Sequence, residues 1–156
     1  MTDADTPATR AVEGLDVEVV RTRPASNAEE SAELQGIELG RLVRTIVVRR
    51  GEGDYLFVLV PAGRQIDWPR LRAHLGVSRL SLPDAEEARA VTGYERGAIT
   101  PFGSSTPWPV LADAGVLQLD RIAIGGGARG VNLHLAPAEL VRHLGADVAD
   151  VTRATP

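Results

Sequence analysis

Two apolar segments joined by a tight turn constrain the fold of this chain most. Residues 42–48 (LVRTIVV) and 55–60 (YLFVLV) are rich in β-branched and aromatic residues, which favours strands. The sequence GEGD between them suits a hairpin turn. Because parallel strands need a long crossover, a connection this short predicts an antiparallel pair at the centre of the sheet.

The rest of the chain alternates helix-like and strand-like segments. Ser26 followed by Glu29 is typical of a capping box and predicts a short helix that Gly36 ends. Asp67 is expected to cap a second helix, which Gly76 ends. Further helices are predicted at 83–91 and 137–144, and strands at 15–19, 79–82, 109–113, 121–125 and 131–135. This mixture, with its tight turns, predicts an α+β domain with a mixed sheet.

A chain of 156 residues predicts one domain, to which we assign residues 14–152. The polar, aperiodic residues 1–13 are expected to form a flexible tail. No run approaches the ~18 apolar residues of a membrane span, and the N-terminus lacks the order of a secretory signal. We therefore expect a cytoplasmic protein with no membrane partner. Cysteine is absent, which excludes disulfides, thiolate nucleophiles and cysteine-ligated metals.

The charged residues carry two further constraints. All 17 basic residues are arginine, so lysine chemistry is absent. The net charge of −4 gives no overall attraction to nucleic acid, although a local arginine patch can still bind phosphate. Charge by itself indicates neither tRNA nor DNA, and no DNA partner is expected.

Three familiar kinds of site are only weakly indicated. Residues 125–130 (GGGARG) satisfy GxGxxG, but the VNLHL that follows alternates like a strand, which favours a hairpin turn over a dinucleotide site. Ser104 and Ser105 are candidate nucleophiles of a hydrolytic triad. His134 and Asp113 supply its other residue types, but no GxSxG elbow positions either serine. The three histidines form no close ligand pair, so neither a metal nor a cofactor is expected.

The segment 97–103 (GAITPFG) is the strongest candidate by composition. Two glycines and a proline in seven residues allow the backbone to approach a ligand closely. Ordinary connections often have the same composition, so the segment alone leaves both interpretations open.

The ordered set of motifs resembles the YbaK/prolyl-tRNA-synthetase-associated editing domain family along most of the chain. The family's order is matched by LVRTIVV, a second strand with VPAG, VTGYERGAITPFG, PVLAD, IAIGGG and LAPAEL. The resemblance implies a mixed, partly closed sheet flanked by helices. It also implies a deacylase that hydrolyses the ester of mischarged tRNA carrying a small amino acid. Proline tRNA charged with alanine or cysteine is the expected substrate, and an aminoacyl-tRNA synthetase is a further implied partner.

The same resemblance implies the residues of the site. The implied catalytic residues are Arg44, Gly97 and Asp113. Arg44 replaces the family's lysine, and its permanent charge allows an electrostatic or positioning role but not that of a base. Asp113 either orients a substrate amino group, pairs with Arg44 or caps the segment that follows. The implied substrate-binding residues are Thr45, Thr100, Pro101, Phe102, Gly103, Gly125, Gly126 and Gly127.

Two other functions remain open beside the deacylase. Because the family's lysine is absent, the chain could be a non-catalytic module that binds tRNA ends or aminoacyl compounds. A small-ester hydrolase that uses Ser104 or Ser105 is the other hypothesis. For the deacylase itself, the ester is already activated, so positioning by the loop and help from a ribose hydroxyl or a cysteine thiol of the substrate would suffice.

Overall fold

The computed structural model describes residues 5–156, and a seven-stranded mixed sheet forms its centre. The strands are β1 (Val17–Arg21), β2 (Leu42–Gly51), β3 (Asp54–Pro61), β4 (Arg64–Ile66), β5 (Val110–Asp113), β6 (Ile122–Gly125), β7 (Val131–Leu135), β8 (Asp147–Ala149) and β9 (Thr152–Ala154). The helices are α1 (Pro7–Ala11), α2 (Ala28–Gln35), α3 (Trp68–Leu75), α4 (Ala85–Thr92) and α5 (Pro137–Leu144), with 3₁₀ helices at Leu39–Arg41 and Ala114–Gln118. Within this described part, no helix has the length and apolarity needed to cross a bilayer.

The large sheet has the strand order β1-β7-β6-β2-β3-β5-β8, while β4 and β9 form a separate two-stranded sheet. The expected hairpin is present, since β2 and β3 pair antiparallel from Val43 opposite Pro61 to Arg49 opposite Tyr55. β2 pairs parallel with β6, β3 with β5 and β5 with β8. β7 pairs antiparallel with β6 and β1. The predicted α+β fold with a mixed sheet is confirmed.

Alternation along the central strands gives the sheet two apolar faces. Val47 and Leu59 belong to the larger buried cluster, which includes Leu140 of α5, and we call this side the α5 face. Val48 belongs to a smaller cluster with Leu71 of α3, and we call that side the α3 face. α2 packs on the α3 face as well. Each residue of β2 is therefore assigned to a face by its position alone.

Polar caps begin the helices and glycines end them, largely as the sequence predicts. Asp67 accepts a hydrogen bond from the Arg70 N–H at 3.2 Å, and α3 ends at Gly76. The predicted cap of α2 at Ser26 is wrong by one residue. Asn27 takes that role, because its Oδ1 accepts from the Glu30 N–H at 2.8 Å.

The N-terminal residues differ from the expected flexible tail. Residues 7–11 form α1, and Ala8 and Val12 are 0% and 3% exposed within the larger cluster. Small apolar side chains one helical turn apart bury together beneath a capped helix start, which corrects the expectation over residues 5–13. Residues 1–4 lie outside the described part of the chain. The domain bounds of 14–152 stay a prediction.

Short strands account for most of the remaining differences between the predicted and the observed secondary structure. The expected strand at 79–82 is reduced to one bridge between Ser81 and Arg49. β4, β8 and β9, each three residues long, carry too little pattern to be predicted. They exist because a neighbouring strand is available to pair with each of them.

Candidate functional site

The predicted site lies where the large sheet is interrupted between β2 and β6. These parallel strands pair at two positions only, the second being Val43 with Ile124. β6 then ends at Gly125, whereas β2 continues. The next described partner on this edge of β2 is Ser81, which exchanges backbone hydrogen bonds of 2.8 and 3.0 Å with Arg49. Between these two contacts β2 has no described strand partner on this side, and we call the space the β2–β6 gap.

Main-chain groups of β2 face the gap. Arg49 directs its N–H and C=O toward this edge, and backbone direction alternates along a strand, so Thr45 and Val47 do the same. The opposite strand agrees, because the Phe57 N–H points away from β2 to the Pro109 carbonyl at 2.8 Å. Among residues 5–156 no partner is recorded for these groups of Thr45 and Val47. The gap therefore presents free donors and acceptors.

Arg44 borders the gap on the α3 face. In the parallel register it follows Val43, and it is therefore aligned with Gly125, which follows Ile124. Gly125 is in turn opposite Asn132 of β7. Because residues in one row across a sheet share a face, Arg44, Gly125 and Asn132 lie in a row on the α3 face. Asn132 was not predicted from the sequence, and only the strand register reveals it.

The Arg44 side chain is exposed and extends away from β2. Its Nη2 donates to the Arg64 carbonyl at 2.5 Å. It also lines a cavity of about 200 Å³ together with Leu39, Gly63 and Thr155. A permanent cation therefore stands on open surface at one end of the gap.

The loop 97–103 reaches the same row from the other side. A Cβ added to Gly125 would lie 3.4 Å from the Ile99 carbonyl oxygen, so the loop crosses the end of β6 on the face that carries Arg44. Gly97 has a left-handed φ of 90°, and a Cβ there would come within 3.2 Å of the Arg129 guanidinium. Thr100 is completely buried. The loop thus brings its backbone, rather than its side chains, to the gap.

Thr45 adds a hydroxyl on the α5 face. Its Oγ1 is buried and has no hydrogen-bond partner among the described residues. An unpaired buried hydroxyl costs roughly 1–3 kcal/mol.

Two of the other predicted residues of the loop, Pro101 and Phe102, lie inside the protein. Phe102 is 1% exposed and stacks on His143 of α5, with ring centroids 5.7 Å apart. Tyr94 donates its phenolic hydrogen to the Phe102 carbonyl at 2.7 Å. Pro101 is buried, and Gly103 has a left-handed φ of 67°. Buried Pro101 and Phe102 fix the shape of the loop, whereas Gly103 is exposed, and the substrate-binding role of all three stays a prediction.

Tyr94 gives a test of this support. Burial raises the pKa of Tyr94 to about 12. Since the folded-state pKa exceeds the ordinary value of about 10, the neutral phenol stabilises the fold below about pH 10, and this contribution is lost as the pH rises toward 12. We expect Tyr94→Phe to lower the free energy of unfolding at neutral pH by about 1–3 kcal/mol and to flatten its decline above about pH 10. Urea titrations across this range measure both effects, and parallel alkaline declines would refute the second.

The triple glycine forms the turn between β6 and β7. The Gly126 N–H donates to the Val131 carbonyl at 2.8 Å, and a Cβ on Gly126 would lie 2.7 Å from the Val131 side chain. A Cβ on Gly127 would lie 2.8 Å from the Tyr94 ring. The predicted glycine-rich hairpin turn is confirmed, because a strand and not a helix follows it.

Asp113 lies apart from the gap. It ends β5, two strands from β2 in the sheet order. Its Oδ2 accepts from the Gly115 N–H at 3.0 Å, and its Oδ1 accepts from the Val151 N–H at 3.1 Å. Asp113 is 2% exposed, so both oxygens are engaged by backbone inside the protein. Of its expected roles, the structure shows the cap.

The residues of a hydrolytic triad are not brought together. Asp113 on β5 and His134 on β7 are separated by β3, β2 and β6, roughly 19 Å at the usual strand spacing. His134 Nε2 instead contacts Gln35 Oε1 at 2.8 Å, and burial lowers the pKa of His134. Ser104 Oγ donates to the Thr92 carbonyl at 3.4 Å. The described residues contain no group of three or more potential protein ligands for a metal.

The sequence is similar to those of aminoacyl-tRNA editing proteins. The aminoacyl-tRNA editing domain family matches residues 22–143. The candidate Cys-tRNA(Pro)/Cys-tRNA(Cys) deacylase EbsC of Enterococcus faecalis is 27% identical over 126 residues, which cover 81% of this chain and 77% of EbsC. The multifunctional Ser/Thr-tRNA deacylase ProXp-y of Escherichia coli is 28% identical over 134 residues, 83% of this chain and 80% of that protein.

A solved structure shows the same architecture. It is described as a candidate trans-editing enzyme for prolyl tRNA synthetase, and it superposes with a TM-score of 0.84 at 29% identity, over 97% of this chain and 100% of its own. Since the family match spans most of the chain and the fold agrees, this protein belongs to the aminoacyl-tRNA editing domain family.

Proposed function

We propose that this protein removes small amino acids from mischarged tRNA, with proline tRNA carrying alanine or cysteine as the substrate. The observation that carries the proposal is the β2–β6 gap, where main-chain groups of β2 are unpaired and the Ile99 carbonyl lies beside Gly125 at the end of β6. The substrate class follows the relatives, whose names give Cys-tRNA and Ser/Thr-tRNA deacylation. A prolyl-tRNA synthetase is the proposed functional partner, and the cytoplasm is the proposed place of action.

Positioning is the chemistry that such a gap can supply. The aminoacyl ester joins a carbonyl carbon to a ribose oxygen at the 3′ end of tRNA. Attack by water, assisted by a neighbouring ribose hydroxyl, places negative charge on the carbonyl oxygen, and a backbone N–H of Thr45 or Val47 can stabilise it. The Ile99 carbonyl can accept from the substrate's ammonium group. The ester C–O bond then breaks, and the ribose oxygen takes a proton to leave free amino acid and uncharged tRNA.

Small substrates suit a site made of backbone. A slot between a strand edge and a loop has little room beyond the main chain of a ligand. Even a hydrophobic pocket distinguishes substrates that differ by one methylene only weakly, by roughly 10- to 200-fold in kcat/KM, and a slot made of backbone has fewer side-chain contacts than such a pocket. We therefore expect activity on several small amino acids.

Arg44 would hold the tRNA rather than take part in proton transfer. Its guanidinium is always charged and is suited to bind phosphate. On this basis Arg44→Ala is expected to lower kcat/KM about 10- to 100-fold, mainly through KM, and Arg44→Lys to retain most activity. The matched control is Arg50→Ala, which removes the same charge about 20 Å further along β2. Equal losses in Arg44→Ala and Arg50→Ala would reject a specific role for Arg44.

The decisive experiment is a deacylation panel. Purified protein is incubated with tRNA carrying alanine, cysteine, serine or proline, and the remaining ester is measured against the uncatalysed rate. We expect accelerated loss of at least one of the small non-cognate amino acids, with proline spared. No acceleration on any of these tRNAs would refute the hydrolase.

A binding module without turnover is the second candidate. It is favoured by arginine in place of the family's lysine and by the bond of Arg44 to the Arg64 carbonyl. This candidate predicts tRNA binding whose affinity falls as salt rises, since phosphate contacts release counterions. Binding without ester loss would identify it, and absence of both would remove it.

A further inference from the structure

The N-terminal segment contacts both glycine-containing segments of the site. The Thr6 hydroxyl donates to the Gly126 carbonyl at 2.5 Å, in the turn that follows β6. The next residue approaches the loop, since a Cβ on Gly103 would lie 2.5 Å from the Pro7 carbonyl. One short stretch of chain therefore touches the turn on one side and the loop on the other.

The contacts of residues 6–8 with the turn and the loop are buried, and the Tyr94 side chain packs beneath them. Thr6 is 4% exposed and Ala8 is 0% exposed. Beneath them, Tyr94 bonds the Phe102 carbonyl of the loop and packs against Gly127 of the turn. The start of α1, the loop and the turn thus form one packed unit around Tyr94.

We propose that residues 6–8 act as a positioning strap, in which Thr6 holds the turn and the loop at the spacing that the β2–β6 gap requires. Its catalytic consequence rests on the proposed deacylase function. The strap lies outside residues 22–143, the part of the chain that the family match covers. Thr6 bonds the turn and not the row of Arg44, so it is a positioning residue and not a catalytic one.

The geometry explains why a small shift here would matter. Gly125, which ends β6, precedes the carbonyl that Thr6 holds, and Ile99, which faces Gly125, lies in the loop that Pro7 contacts. Movement of either segment changes the width of the gap. Misplacement by about 1 Å can cost about 10²-fold in rate when catalysis depends on orientation.

The capping box of α1 provides a matched pair of variants. Thr6 Oγ1 accepts from the Thr9 N–H at 3.0 Å and uses its only hydrogen for Gly126. Thr9 Oγ1 accepts from the Thr6 N–H at 2.9 Å and donates to the Thr6 carbonyl at 3.0 Å, without a bond to the turn. Thr6→Val and Thr9→Val each damage the cap, but only Thr6→Val releases Gly126. Thr6→Ser keeps both bonds.

The test combines kinetics with amide exchange on the full chain. For Thr6→Val we expect kcat to fall about 10- to 100-fold with little change in KM, because no substrate contact is lost. Thr9→Val should stay within about threefold of the parent protein, and Thr6→Ser should match it. Hydrogen–deuterium exchange of the Gly126 and Ala98 amides, both bonded in the structure, should accelerate in Thr6→Val alone.

The two readouts separate the strap from the function it rests on. Faster exchange in Thr6→Val with no deacylation by the parent protein would uphold the strap and reject the hydrolase. Equal exchange in Thr6→Val and Thr9→Val would overturn the strap, whatever the activity. Faster exchange with an unchanged kcat would overturn its positioning role.

Discussion

Gly103→Ala is expected to destabilise the protein by roughly 2–5 kcal/mol. Two costs combine at this position. The left-handed φ of 67° disfavours any side chain, by roughly 1–2 kcal/mol. In addition, the new Cβ would lie 2.5 Å from the Pro7 carbonyl carbon and oxygen and 2.8 Å from the Ala8 nitrogen, so backbone has to move. Urea titration measures the loss as a lower midpoint.

Gly76→Ala is the matched control for this prediction. Gly76 has a φ of 68°, but a Cβ there would meet nothing within 4 Å. It carries the same backbone strain without the collision, so a loss of roughly 1–2 kcal/mol is expected. The difference between the two variants reports the packing of α1 on the loop. If the two losses are equal, that packing does not hold in solution.

The second large effect is expected at Asp113, in stability and not in catalysis. Asp113→Ala leaves the buried Val151 N–H and the partly buried Gly115 N–H without their acceptor. An unsatisfied buried group costs roughly 1–3 kcal/mol and the partly buried one costs less, so a loss of about 2–4 kcal/mol is expected. Under conditions where the variant stays folded, kcat on mischarged tRNA should equal that of the parent protein.

Asp150→Ala serves as the control for Asp113→Ala. Asp150 is an exposed carboxylate one residue before Val151, and its partner is the exposed Arg70 at 3.2 Å. Exposed pairs of this kind contribute little, so the unfolding midpoint should hardly change. A large drop in kcat for Asp113→Ala, with stability intact, would restore Asp113 to the catalytic residues.

The parts of the fold that the sequence predicted depend on local signals. GEGD between two apolar runs identified the hairpin of β2 and β3, and glycine after a polar-capped segment marked the ends of α2 and α3. The turn at Gly125–Gly127 was predicted because the next residues alternate with period two. In each case the deciding residues are close together in the chain.

The parts that could not be predicted depend on pairing between distant segments. Nothing near Asp113 in the sequence shows that Val151 will donate to it. Nothing near Val43 shows that β6 will stop two residues into its pairing with β2. The row of Arg44, Gly125 and Asn132, and the β2–β6 gap itself, follow from that register. The family resemblance supplied the site residues only because it carries this long-range information.

The β2–β6 gap has a consequence for how such a protein can diverge. An unpaired strand edge at the rim of a sheet is open to pairing with other protein chains. The unpaired edge of β2 lies instead between strands of the same sheet, which shield it from other chains. Its donors and acceptors belong to the main chain, which substitution leaves in place. Recognition built this way is inherited through topology. The solved structure with a TM-score of 0.84 at 29% identity shows that this topology persists while most side chains change. Under the proposed function, the side chains around the gap are therefore free to change which amino acid is removed.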